Sequence, residues 1–116
     1  INKLEKGGLS GKPLENRSNE LINKFYKILK NKIKIIGVGG VDSGQSAYQK
    51  IINGASLVQL YTGMIYQGPK IASKISEELI NILDKEGAKN ISDVVGSKNW
   101  SWLVTLEHLY NHKFYV

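Results

Sequence analysis

The feature that most constrains this chain is a pair of strand-to-glycine junctions one after the other. "KIKIIGV" (32–38) is short, β-branched and apolar, and it stops at Gly39-Gly40 with a helix start just beyond. "ASLVQLYT" (55–62) repeats the pattern and stops at Gly63. Strands that alternate with helices predict an α/β fold with parallel strands. Both runs are apolar enough to be buried on two faces, near Ile35 and Ile36 above all. Two strands do not make a stable sheet, so these two call for further strands beside them.

The helical segments follow from periodicity. Leu21, Ile22, Phe25, Tyr26, Ile28 and Leu29 form one stripe, with Ser18 as expected N-cap and Glu20 in the first turn. Residues 1–17 are expected to be a loop. After Gly40, Asp42 and Gln45 have the spacing of a capping box, Ala47, Tyr48, Ile51 and Ile52 give the stripe, and Gly54 closes it. "GMIYQG" is expected to be a turn, with Pro69 at the first position of the next helix. Ile71, Ile75, Leu79 and Leu83 then recur every four residues until Gly87. "NISDVVG" predicts a short helix capped by Asn90 or Ser92. The tail 97–116 changes character: it holds both Trp residues, and Trp102, Leu106, Leu109 and Tyr110 would share a helical face.

Composition excludes several classes. The 116 residues contain no Cys, which removes disulfides and thiolate metal sites. No apolar run approaches the ~18–20 residues of a membrane span. The net charge of +6 raises a polyanion partner, but ten of the sixteen basic residues precede residue 51, mostly as single lysines on helical faces. Solvated faces account for them, and no nucleic-acid partner is expected. The opening "INKLEKGG" is neither a start nor a processed signal. We therefore expect an excerpt of a longer protein.

The glycine turns carry the chemistry. Without a side chain at Gly39 and Gly40, amides can approach a phosphate, and the next helix N-terminus favours negative charge. "LYTG" adds the hydroxyls of Tyr61 and Thr62 at the same sheet edge. In (β/α)8 barrels the loops after the seventh and eighth strands often form such a phosphate site. "GGLSGKP" supplies a third glycine-rich loop. The competing reading is a tight turn whose glycines only let helix and strand pack closely. Asp42 stands where a Rossmann fingerprint needs Gly, and Pro13 stands where a Walker loop needs Ser or Thr.

Other candidates are weaker. His108 and His112 are four apart, but zinc would need a third ligand, so no metal is expected. Glu77, Glu78 and Asp84 fall on a polar helix face and read as solvated charges. Lys12 is close enough in sequence to the third loop to touch an anion, or to be solvated.

Taken together, "GGLSGKPL", "IIGVGGVDSGQSA" and "GASLVQLYTG", in this order and spacing, resemble the C-terminal third of dihydroorotate dehydrogenases. "LSGKPL" and "QLYT" look like the quinone-dependent class 2 branch. The resemblance covers residues 6–97. It implies that residues 1–97 are the C-terminal portion of an FMN-binding (β/α)8 barrel, with 98–116 an aromatic-rich extension of no assigned role. It implies oxidation of dihydroorotate to orotate in pyrimidine (UMP) synthesis, with electrons passing through FMN to a membrane quinone. The parent enzyme would lie peripherally on the inner (cell) membrane, on the cytoplasmic side. Matched residue by residue, contacts to the FMN phosphate fall on Gly11, Gly40, Tyr61 and Thr62. The family's catalytic Ser base, its flavin-contacting Lys and its substrate-holding Asn residues lie upstream of residue 1. No catalytic residue is therefore assigned, and these 116 residues alone are expected to be inactive. The alternatives are a split-gene or degraded fragment without catalysis, and another phosphate-binding barrel flavoenzyme.

Overall fold

A computed structural model describes residues 7–99. A 3-10 turn, Lys12–Leu14, runs straight into helix α1, Glu15–Leu29. Strand β1 (Ile36–Val38) follows, then α2 (Gly44–Asn53), β2 (Leu57–Gln59), the short α3 (Thr62–Gln67) and α4 (Ile71–Glu86). Two 3-10 turns, Ile91–Val94 and Ser97–Asn99, end the described chain. The expected helix face of 98–116 lies outside the described residues beyond Asn99.

β1 and β2 pair in parallel, with Ile36 opposite Leu57, Gly37 opposite Val58 and Val38 opposite Gln59. The α/β alternation with parallel strands is thus present. The strands are shorter than the apolar runs that encode them, since only three residues of each find a partner. Expected burial on both faces is not met: Ile36, Val38 and Leu57 are 57%, 51% and 64% exposed. Helices cover the face that carries Gly37 and Val58, and nothing among the described residues covers the other.

The core forms where α2 and α4 meet the covered face. Val41, Ala47, Ile71 and Ile75 are buried there, with Val58, Leu60 and Leu79 packed against them. The stripe of α4 thus does what its four-residue period predicts at its first two positions. α1 lies on α2, and three amides join them to the last described residues. The Asn23 amide donates to Asn53 (3.1 Å) and to Asn99 (2.9 Å). The Tyr26 ring fills the space that side chains at Gly54 and Gly96 would occupy.

Three local expectations are corrected. α1 begins at Glu15, within the expected loop, and Ser18 is an interior residue, not its cap. The capping box of α2 uses Ser43 and Ser46, one position on from Asp42 and Gln45. "TGMIYQ" is a helical turn, and α4 starts at Ile71, with Pro69 just outside it. Gly54 and Gly87 end their helices and Asn90 caps its turn, as expected.

Candidate functional site

Three loops meet at one end of the sheet. Between them lies a cleft of about 690 Å³, lined among others by Ser10, Gly11, Lys12, Gly39, Gly40, Asp42, Tyr61, Thr62 and Gly63. All four residues singled out from the sequence, Gly11, Gly40, Tyr61 and Thr62, therefore border the same space.

Local contacts explain the convergence. The hydroxyls of Ser10 and Thr62 are 3.1 Å apart and share a hydrogen bond, which pins the first loop to the turn after β2. Gly11 is close enough that a Cβ there would lie 3.0 Å from the Thr62 methyl. A Cβ at Gly63 would lie 2.5 Å from the Val41 carbonyl oxygen, so the two strand-end turns touch backbone to side-chain-free backbone. The Gln67 amide donates to the Asp42 carbonyl at 3.1 Å and closes the pair from the far side. Tyr61 stands at the rim, 73% exposed.

Gly39 and Gly40 have φ of 112° and 75°, a region that L side chains rarely adopt. A Cβ at Gly40 would lie 2.6 Å from Glu15 Cβ and 2.9 Å from its Cα. Close packing of the turn on α1 therefore accounts for the missing side chain at Gly40 by itself. The N-terminus of α2 is not an open anion site either. The Gly44 N–H donates to Glu78 Oε2 at 2.6 Å, and the Ser46 N–H donates to Ser43 Oγ at 3.1 Å. Glu78 is thus a cap, not the solvated charge its helix face suggests.

The charges of the cleft are arranged around Lys12. Its amino group lies 2.6 Å from Glu15 and 3.4 Å from Asp42. The hydrogen bond to Glu15 raises its pKa; partial burial opposes this, and the charges of Glu15 and Asp42 add to it. An anion entering the cleft would meet the Asp42 carboxylate as well as Lys12, with Lys12 already holding that carboxylate.

Sequence reasoning missed Ser10 and Gln67, which close the cleft, and Lys50; it took Gly63 only as the glycine that ends the second strand. Lys50 is wholly buried. Its amino group donates to Ser18 Oγ at 3.1 Å and to Asn19 Oδ1 at 2.9 Å. Burial lowers its pKa, Glu15 works against that, and Lys12 adds to it. No periodic signal marks it, because a lysine on the last turns of a helix reads as solvent-facing. Among the described residues no group of three His, Cys, Asp or Glu side chains gathers as a metal site, and no helix is long and apolar enough to cross a membrane. His108 and His112 lie outside the described residues.

Known proteins give this geometry a setting. The description of the dihydroorotate dehydrogenase family matches residues 1–83. The dihydroorotate dehydrogenase (quinone) of Deinococcus radiodurans is 44% identical over 95 residues, covering 82% of this chain and 26% of that protein. The mitochondrial dihydroorotate dehydrogenase (quinone) of Arabidopsis thaliana is 48% identical over 93 residues, covering 80% of this chain and 20% of that one. Ligand-free DHODH of Eimeria tenella superposes with a TM-score of 0.79 at 43% identity, over 83% of this chain and 26% of that chain. The chain spans about a quarter of the length of the relatives it matches.

Proposed function

This chain belongs to the dihydroorotate dehydrogenase family, and from that premise we propose that it supplies the phosphate-anchoring end of a quinone-dependent, FMN-bearing (β/α)8 enzyme. The whole enzyme would oxidise dihydroorotate to orotate in pyrimidine synthesis, at a membrane from which it draws its quinone. The observation that carries the reading is the meeting of Gly11, Gly40, Tyr61 and Thr62 on one cleft fed by three glycine-bearing loops.

The residues present fit such a group. The cleft has room for a phosphate and part of a ribityl chain. Its lining carries the hydroxyls of Ser10, Thr62, Tyr61 and Tyr66, the Lys12 amino group and the glycine turns, a set that suits a dianion. FMN, when bound, supplies the hydride acceptor of the oxidation. The chain's own part is positional: Thr62 and Ser10 hold the phosphate oxygens, and Tyr61 closes the rim. The Gly63–Val41 contact keeps the two turns at fixed spacing. Holding one end of a long cofactor fixes the angle of the other, which is where orientation yields rate.

The test compares FMN with riboflavin, which lacks only the phosphate, by quenching of flavin fluorescence on the 116-residue chain. FMN is expected to bind at least about tenfold tighter, about 1.4 kcal/mol. Thr62→Val is expected to remove most of that margin. Equal affinities for the two flavins would sink the reading. Dihydroorotate with a quinone should give no turnover on this chain.

A further inference from the structure

Lys50 is the buried polar group that the site just described leaves unused. Its stem crosses over β1 at Gly37, on the face that the helices cover. A Cβ on Gly37 would lie 3.1 Å from Lys50 Cδ and 3.0 Å from both Ala55 Cβ and Ile22 Cδ1. The missing side chain on β1 thus opens the passage by which a residue of α2 reaches α1. At the far end the amino group donates to Ser18 and Asn19. No carboxylate among the described residues forms an ion pair with it. A buried amine without a counter-charge costs stability, and packed apolar residues in its place are often neutral or better. Stability alone therefore does not account for a lysine at this position.

Ser18 supplies a further reason. Its hydroxyl accepts from Lys50 and donates to the carbonyl of Val38, the last residue of β1. A hydroxyl has a single proton, and an occupied acceptor side leaves that proton for Val38. A trans peptide holds C=O and N–H on opposite sides, so capturing the Val38 carbonyl also sets the Gly39 N–H, away from α1. Gly39 and Gly40, both at positive φ, have no side chains of their own to fix this plane.

We propose that Lys50 is a positioning residue: through Ser18 and the Val38 carbonyl it holds the Gly39-Gly40 turn in the geometry that receives a phosphate ester. This rests on the flavin-phosphate reading for its ligand, but the ordering of the turn is measurable without one. Lys50→Met keeps the stem and removes the donor; Ser18→Ala cuts the relay one link on. Ile22→Val loosens the same core without touching the relay and serves as control.

In the 15N-labelled chain, Lys50→Met and Ser18→Ala should each speed Gly39 amide exchange about tenfold relative to Ile22→Val. The double variant should be no faster than either single, as for two links of one chain. Each should also lower affinity for FMN about tenfold and leave that for riboflavin unchanged. Unchanged Gly39 exchange in Lys50→Met, additive effects in the double variant, or equal losses for FMN and riboflavin would each overturn the proposal. If the parent chain binds neither flavin, the phosphate reading falls, while the exchange rates still decide whether Lys50 orders the turn.

Discussion

The two faces of the small sheet both carry branched apolar residues, Val58 on one and Ile36, Val38 and Leu57 on the other, and have opposite fates. On one, Gly37 and Val58 lie under α1 and α2, and the space is filled to contact distance by Ile22, Ala55 and the Lys50 stem. On the other, Ile36, Val38 and Leu57 stand more than half exposed. β-Branched and aliphatic side chains cannot tell the faces apart, because each residue type would serve on either. What separates them is which neighbours the chain itself brings. An apolar sheet face that no described residue covers is the kind of patch that meets other protein, a membrane or a ligand. In relatives about four times longer, there is chain enough to cover it.

The comparison can be broken most directly at Gly37. Gly37→Val would drive a branched side chain into Ala55, Ile22 and the Lys50 stem; urea unfolding followed by circular dichroism is expected to be cooperative for the parent chain and to lose that cooperativity in the variant. A folded, cooperative variant would mean the covered face is not tightly packed. Next in size, Ile75→Ala should cost about 2–5 kcal/mol, while Leu57→Ala on the open face should stay within about 0.5 kcal/mol. Equal costs would show that Leu57 has found a cover, for which sedimentation would be the follow-up. Smallest is Glu78→Gln. It weakens the charged acceptor for the Gly44 N–H and should lower stability by about 1 kcal/mol, with no change in FMN binding if the α2 N-terminus plays no part in the anion site.

What could be read from the sequence was what depends on a few adjacent residues. Gly54, Gly87 and Asn90 end or cap their elements as local rules require, and Ile71 and Ile75 face the core as their period dictates. Caps with rival neighbours were read one place off. Asp42-Gln45 and Ser43-Ser46 share the same spacing, and Asp42 is drawn instead to Lys12 and the Ser46 hydroxyl. Ser18 has the chemistry of a cap, yet α1 starts earlier because the Lys12–Leu14 turn feeds it without a break. The cleft's glycines were legible as a set, since three similar loops stand in order along the chain. Lys50 was not, because its burial depends on a glycine thirteen residues earlier and on a helix earlier still. Gly40 carried two readings, and the structure shows the packing one at work without removing the other.

The Tyr26 ring has a further consequence. It touches Gly54 at the close of one helix and Gly96 near the last described turn, while Asn23, one turn away, reaches Asn99. Early and late segments are thereby buckled by two side chains of one helix turn, Tyr26 and Asn23. Fraying at either margin must undo the same buckle, so both margins should open as one unit on the slow clock of deuterium uptake.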